Sequence, residues 1–341
     1  MVRGSAGERP RVTALFKPHR RLMEELGEEF EIVFFHGRLP PPQWVRNNLP
    51  GTSALVVAPY HAVGGDLLDT AGESLKLVVI YGSGHDKVDL QAAEARGVCV
   101  ANCPDSIAEA VADHAVGLLL ALIRGIVKGD SYVRGGVWVG TAAPREFIGR
   151  TLSSLTVGIL GLGRVGAAVA RRLAGFGARL VYWSRRRKPE AEKLVPMRYC
   201  PDPYCVAREV DAVVIALALT PETRGLVGVD FISAMKEGAY IINVSRGEVI
   251  DEEALVKALR DGRLGGAALD VFANEPIGPE NPLTGLENVV LTPHIAGYTW
   301  EAMAGAAAEA AQAIRECLLL GRAPRNSLTP GTCAKACEPL I

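Results

Sequence analysis

Residues 156–166 read Thr156-Val157-Gly158-Ile159-Leu160-Gly161-Leu162-Gly163-Arg164-Val165-Gly166, an apolar, β-branched run passing straight into G-x-G-x-x-G. Small residues from Ala167 to Ala174 continue it with the composition of a helix. Strand, glycine turn and helix in this order form a dinucleotide-binding fingerprint, in which each glycine has its own task. Gly161 makes the tight turn, and Gly163 lets backbone approach a pyrophosphate. Gly166 lets the helix lie close on the strand, with its N-terminal amides and dipole toward the phosphates. Leu162, Arg164 and Val165 complete the cradle. Glycine-rich turns are common, so the motif alone is weak; its flanks make it specific.

The next apolar run, Leu180 to Trp183, ends where an NAD site carries Asp or Glu for the ribose 2′-hydroxyl. Here the chain has Ser184-Arg185-Arg186-Arg187-Lys188. A hydroxyl and cations suit a 2′-phosphate. Ser184, Arg185 and Arg186 therefore assign NADP(H) as the preferred cofactor, with NAD(H) possible. Arg187 and Lys188 read as a solvated basic loop.

A chain of 341 residues can hold two domains with separate cores. Its 37 basic and 38 acidic side chains nearly cancel, so charge makes no case for nucleic acid or anionic membrane as a partner. The apolar stretch Ala115 to Ile123 is too short to span a bilayer, and the polar start, Met1 to Pro10, lacks the apolar core of a secretory signal. A cytoplasmic protein is the expectation. The seven cysteines follow neither zinc spacing nor a secreted disulfide framework. No metal is expected. Cys99, Cys103 and Cys317 read as buried thiols, Cys200 and Cys205 as loop residues, Cys333 and Cys337 as tail residues. Inert thiols are the expectation throughout, with a bridge in the loop or tail as the alternative. Many Ala, Arg and Pro with few Asn or Gln hint at a thermophile.

Before the fingerprint, Val12 to Phe16, Glu31 to Phe35, Ala54 to Val57, Leu77 to Ile80 and Val98 to Ala101 read as buried parallel strands. Amphipathic segments at Lys17 to Glu25 and Lys87 to Arg96 read as helices between them, the alternation of a flavodoxin-like domain. A long helix from Ser106 to about Lys128 and a loop-rich stretch to Thr151 follow. The fingerprint then opens a second series, with later strands at Ala212 to Ile215, Tyr240 to Asn243, Gly266 to Asp270 and Val289 to Leu291. A helix at Asp251 to Asp261 starts with three acidic residues that complement its dipole. A last helix, Trp300 to about Leu320, is expected to cross back to the first domain and pack on the helix at Ser106.

The fold class is thus α/β, with two Rossmann/flavodoxin-like domains whose parallel sheets flank an active-site cleft. Residues 1–104, completed by 306–341, form the substrate domain. Residues 105–305 form the dinucleotide domain.

Three strand ends after the fingerprint carry polar residues. Arg246 follows Ile241-Ile242-Asn243-Val244-Ser245; Asp270 ends a strand, with Glu275 on the next turn; His294 follows Leu291-Thr292-Pro293. Ligands of open α/β sheets bind outside the carboxyl ends of the strands, so one Arg, one Glu and one His aim at a single rim. Taken singly, a histidine after a strand or a Glu-Pro turn is usually structural. Together and in this order, coincidence is improbable. His19, His36, His61, His85 and His114 read as structural, as do Glu109 and Asp113. Asp86 and Asp89 read as helix caps.

With these residues the chain resembles the D-isomer-specific 2-hydroxyacid dehydrogenases, above all the glyoxylate/hydroxypyruvate reductase branch. The resemblance runs from Val12 to Asn326 and includes residues 82–89 (GSGHDKVD) and 219–226 (LTPETRGL). It implies that His294 is the acid for the carbonyl oxygen as hydride arrives, and that Glu275 is its carboxylate partner. A free imidazole titrates near ~6.5, so such a partner helps to keep it charged. Arg246 is implied to hold the substrate carboxylate and polarise its carbonyl with a planar fork. Backbone amides around Ser83 and Gly84 are implied to bind the same carboxylate. Asp270 is implied to meet the nicotinamide carboxamide, while Val244, Ser245, Arg246, His294, Ile295 and Ala296 line the cofactor.

The chain departs from the family pattern at Ala218, where proline is usual, and at Ile295-Ala296-Gly297-Tyr298; Tyr81 and His85 flank the carboxylate loop. The resemblance implies a homodimer through the helix from Ser106 and the loop to Thr151, where Val133, Val137, Trp138, Val139, Phe147 and Ile148 cluster. The expected activity is hydride transfer between NADP(H) and a small 2-oxo or D-2-hydroxy acid, as in a glyoxylate or hydroxypyruvate reductase. Another 2-hydroxyacid specificity, or a nucleotide-sensing corepressor-like role, is the alternative.

Overall fold

The computed structural model describes residues 9–140 and 144–338. Most of the polar start, three residues of the loop before Thr151 and the last three of the tail lie outside them. The chain divides into two compact units, Met1–Ile107 with Thr299–Ile341, and Ala108–Tyr298. The sequence places the crossings at 104/105 and 305/306. The first crossing falls later because the Glu309 carboxylate accepts the Asp105 and Ser106 amides at 3.2 and 2.8 Å, holding the start of helix Asp105–Ile123 in the first unit. The second falls earlier because the whole helix Trp300–Leu318, including its N-cap Thr299, belongs to the first unit.

The first unit is built on β1 (Arg11–Ala14), β2 (Glu31–Phe34), β3 (Ala54–Val57), β4 (Leu77–Ile80) and β5 (Cys99–Asn102), all parallel, in the order β2-β1-β3-β4-β5. That is the flavodoxin-like order. β3, β4 and β5 are buried at every residue, so β3 and β4 are continuous apolar runs without alternation, and β5 is apolar up to Asn102. Helix Arg20–Leu26 is capped by the His19 imidazole, which accepts the Arg21 amide, and stops at Gly27, whose φ of 59° suits glycine. Leu22 and Leu26 meet Ala306, Ala310 and Ile314 of helix Trp300–Leu318 in one core. The expected partner of that last helix was the helix at Ser106. Its small alanine face instead packs mainly on Arg20–Leu26 and β4, and the helix meets the start of Asp105–Ile123 through Gly305 and Glu309.

The cysteines correct the expectation of inert thiols. Cys99 on β5 is bonded to Cys333 of the terminal helix Pro330–Ala336, and Cys317 to Cys337. Only Cys103 is a free, buried thiol among the described residues. The tail reaches the sheet because Leu328 donates its amide to the Val100 carbonyl at 2.7 Å and the Thr329 hydroxyl accepts the Val100 amide at 3.0 Å. In the second unit Cys200 is bonded to Cys205.

The second unit is a seven-stranded parallel sheet: β6 (Thr156–Leu160), β7 (Arg179–Trp183), β8 (Arg198–Tyr199), β9 (Ala212–Ile215), β10 (Ala239–Asn243), β11 (Leu264–Leu269) and β12 (Val289–Leu291). Its order, β12-β11-β10-β9-β6-β7-β8, is the Rossmann winding with one further strand, and it reverses between β6 and β9. The expected long helix from Ser106 is two helices, Asp105–Ile123 and Ile126–Arg134. Gly125 breaks it with a φ of 60°. Glu109 and Asp113 pair with Arg171 and Arg172 of helix Arg164–Gly175, a structural role as expected. Among the described residues, Asp105–Ile123 is the one helix whose length and hydropathy match a membrane span, and half of it is buried within the protein.

The Cys99–Cys333 bond closes 234 residues of chain, a loop worth about 5 kcal/mol in the chain-entropy picture. Cys333→Ala should lower the unfolding free energy by about 2–5 kcal/mol. Denaturant titration of the oxidised parent and variant measures it. Equal midpoints for the oxidised and fully reduced parent would show that the bonds do not hold the tail.

Candidate active site

The fingerprint glycines meet three different constraints. Gly161 has a φ of +95°, and a Cβ there would lie 2.6 Å from the Ala216 carbonyl oxygen. A Cβ on Gly166 would lie 1.9 Å from the Gly161 oxygen, so the helix can start this close to the strand only with glycine. A Cβ on Gly163, the N-cap of helix Arg164–Gly175, would have no atom within 4 Å. Open space above an N-cap, beside amides that the helix cannot satisfy, fits the pyrophosphate of a dinucleotide. The Gly161 amide donates to Trp183 at 2.8 Å and ties this turn to the end of β7.

Beyond β7, Ser184 is buried, and its hydroxyl donates to the Arg186 carbonyl at 2.7 Å. Arg185 and Arg186 are exposed. Arg187, read as solvated, is gripped by Glu192 through Nε at 2.9 Å and Nη2 at 2.7 Å. The Tyr182 hydroxyl donates to the same carboxylate at 2.6 Å and accepts the Lys188 amide at 2.8 Å. Bonds from Arg187 and Tyr182 pull the Glu192 carboxyl down to about 2. No motif in the sequence marks this carboxylate, which is already matched by the Arg187 cation.

At the end of β10, Asn243 is fully buried and organises the turn that carries Arg246. Its amide nitrogen donates to the Arg246 carbonyl at 2.9 Å, and its oxygen accepts the Ser245 amide at 3.0 Å and hydroxyl at 2.8 Å. The Arg246 guanidinium donates to the Ser245 carbonyl at 2.8 Å. Gly247 lies so near the next strand's loop that a Cβ would come within 1.8 Å of the Phe272 carbonyl carbon. The Arg246 turn and the Glu275 turn thus share a backbone contact.

At the end of β11, Asp270 is 1% exposed. One carboxylate oxygen accepts the Thr292 hydroxyl at 2.6 Å and the Ile295 amide at 2.9 Å; the other accepts the Ala296 amide at 2.9 Å. Burial acts to raise this carboxyl, but bonds from His114, Thr292 and the two amides outweigh it and leave it below its ordinary value. The resemblance implied a nicotinamide contact for Asp270. Here its oxygens bind the His294 turn.

His294 has a φ of 54°, the one described non-glycine residue in the left-handed region. Its Nδ1 lies 2.7 Å from Glu275 Oε2, while the Phe272 amide donates to Oε1 at 3.0 Å. A carboxylate can only accept, so Nδ1 carries a proton and Nε2 is the nitrogen left for a substrate. Burial acts to raise the Glu275 carboxyl; the His294 bond and charge, the Phe272 amide and the Arg246 cation bring it below its ordinary value. Glu275 therefore stays ionised at neutral pH beside a group that can be cationic.

In the first unit, Ser83 and Gly84 follow β4. Gly82 has a φ of +156°, with Pro59 2.7 Å from where its Cβ would stand. The Asn102 amide fixes the Ser83 carbonyl at 2.8 Å, and the Cys103 amide fixes that of Gly82 at 2.9 Å. Among the described residues, no backbone–backbone hydrogen bond is found for the Ser83 and Gly84 amides.

Residues 116–296 match the D-isomer specific 2-hydroxyacid dehydrogenase NAD binding domain. A glyoxylate reductase of Pyrococcus furiosus is 41% identical over 281 residues, 81% of this chain and 83% of that protein. The chain belongs to the D-isomer specific 2-hydroxyacid dehydrogenase family. It is an oxidoreductase with a pyridine-nucleotide site. A second glyoxylate reductase, of Thermococcus gammatolerans, is 40% identical over 84% of this chain and 86% of its own length. The NADPH-dependent glyoxylate/hydroxypyruvate reductase of Sinorhizobium meliloti, solved with NADP and malonate, superposes with a TM-score of 0.81 at 34% identity, covering 95% of this chain and 98% of that one. In this dehydrogenase the structure sets Glu275 on His294 and brings the Arg246 charge near enough to act on Glu275. Asn243, Thr292 and His114 were absent from the functional reading of the sequence. Their place at strand ends or on an apolar helix carries no signal until the turns they bind are known.

Proposed function

We propose that this dehydrogenase is an NADP(H)-preferring reductase of small 2-oxo acids, glyoxylate or hydroxypyruvate foremost, and that it works as a homodimer. The observation that carries the chemistry is the Glu275–His294 pair at 2.7 Å with Nε2 turned from the carboxylate. A nicotinamide cofactor held at the Gly161–Gly166 turn would supply the hydride for the carbonyl carbon. His294 holds the proton destined for the carbonyl oxygen, and Glu275 stabilises the imidazolium that holds it. Arg246 neutralises the substrate carboxylate with its fork and draws charge toward the carbonyl oxygen. Small 2-oxo acids are favoured by the names of the relatives from Pyrococcus and Thermococcus.

His294→Ala should lower turnover by roughly 10²–10⁴. Reduction by the parent should fall as pH rises and His294 gives up its second proton. Glu275→Gln should move that fall to lower pH, because a neutral amide no longer favours imidazolium. Arg246→Ala should raise KM and lower kcat together. The pH–rate profiles, taken where a hydride isotope effect shows chemistry to be limiting, decide the matter. An unmoved Glu275→Gln profile would assign the acid elsewhere.

For the cofactor, the support is a β7 end without a free carboxylate and with Arg185 and Arg186 exposed beside Ser184. NADPH should bind more tightly than NADH, and Ser184→Asp should reverse the order by setting a negative charge against the 2′-phosphate. Fluorescence titration with both nucleotides tests this; NADH binding as tight as NADPH by the parent would reject the preference.

For the dimer, Val139 is 85% and Ile148 79% exposed, and Val133, Val137 and Trp138 are exposed in the same stretch of chain. Phe147 is half-covered, with its ring on Tyr132 at 5.1 Å. A cluster of this kind after helix Ile126–Arg134 calls for a partner surface. Sedimentation should show a dimer at micromolar protein, weakened by Val139→Asp with Ile148→Asp; a monomeric parent would exclude the assembly.

A further inference from the structure

We propose that His114 is a positioning residue of this dehydrogenase, holding through Thr292 and Asp270 the left-handed turn that presents His294. The inference rests on His294 being the acid.

His114 lies on helix Asp105–Ile123 with its side chain 22% exposed. Its Nε2 is 3.1 Å from the Thr292 hydroxyl and 3.4 Å from Asp270 Oδ1. The direction of these bonds follows from proton count. The Thr292 hydroxyl has one proton, and its 2.6 Å contact with a carboxylate uses it. Thr292 can then only accept from His114, so Nε2 carries a proton. A directed chain results: imidazole N–H to hydroxyl, hydroxyl to carboxylate, and carboxylate to the Ile295 and Ala296 amides on the far side.

That last link is where the chain reaches catalysis. Ile295 and Ala296 follow His294 directly, and His294 holds a φ of 54°. A side chain in this region is strained and persists only where its surroundings over-determine it. The two amides on one buried carboxylate, and the His294 amide on the Thr292 carbonyl at 3.0 Å, supply that constraint. Without the His114 proton, Thr292 is free to turn its hydroxyl from Asp270, and the carboxylate loses its 2.6 Å bond. A reacting group displaced by even about 1 Å can lose 10²-fold in rate.

His114→Phe keeps the ring volume and removes the donor; His114→Gln places an amide N–H at the reach of Nε2. Hydrogen exchange of residues 292–298 is followed in the cofactor-free protein, beside steady-state kinetics. His114→Phe should speed exchange at the Ile295 and Ala296 amides by about tenfold and leave remote segments unchanged. It should lower kcat by about 10- to 100-fold with little change in KM for the nucleotide. His114→Gln should restore both. Thr292→Val cuts the same chain with an isostere and should reproduce the exchange effect, which keeps the test decisive if His114→Phe does not fold. Wild-type exchange and kcat in a folded His114→Phe, or failure of a folded His114→Gln to restore them, would overturn the proposal. An inactive parent would reject the reductase reading instead, and exchange would still report on the turn.

Discussion

Every reacting side chain of the second unit stands on backbone that has just left a parallel sheet. Such backbone has lost the neighbouring strand as a hydrogen-bond partner and must find another, since buried N–H and C=O groups are costly to leave unpaired. The structure meets this with two buried side chains in equivalent places. Asn243, at the end of β10, binds both sides of the Arg246 turn. Asp270, at the end of β11, binds the turn after β12. An amide serves the first because it must donate to a carbonyl and accept from an amide. A carboxylate serves the second because every group facing it is a donor.

Close backbone approach is the second device, and it explains glycines that the fingerprint alone does not cover. Gly247 allows the Arg246 turn to rest on the Phe272 backbone, while the Phe272 amide in turn holds Glu275. Arg246 and Glu275 are therefore linked through short backbone segments, and Glu275 meets His294 through one side-chain bond. This is the arrangement that lets the Arg246 charge and the His294 bond act on one carboxylate against its burial. Positioning and electrostatics share the same few contacts.

Much of this was legible in the chain. The buried strands announced themselves as apolar runs because both faces of a parallel sheet are covered, and β3, β4, β9 and β12 begin and end where those runs do. The glycine spacing from Gly161 to Gly166 and the order Arg246, Glu275, His294 were visible for the same reason: each is a local pattern tied to a strand end. What stayed hidden is what depends on distance in sequence. The helix after Ser106 looked continuous because an isolated glycine is tolerated in a helix at a cost of about 1 kcal/mol, and only the packed structure shows the left-handed φ of Gly125. His114 lies 178 positions from the threonine it contacts, and an imidazole amid Ala and Leu gives no hint of that partner.

The cysteines show the same limit most sharply. Cys99 and Cys333 are 234 positions apart, and no spacing rule links a strand residue to a terminal helix. The pairing follows instead from the backbone bonds that Leu328 and Thr329 make with Val100, which bring the tail to β5 before any sulfur is considered. Once the tail is seated, Cys337 comes to Cys317 on helix Trp300–Leu318, with 4.5 Å between the Cα atoms. Two covalent ties then join the last helix, the terminal helix and the edge strand of the first sheet. The chain order explains why such ties are useful. The first unit is made from two separate stretches of sequence, so its core closes only when residues beyond 299 return to strands laid down before 107. A fold with so much non-local contact must close a long loop against chain entropy, and a bond between β5 and the tail removes that freedom from the unfolded chain.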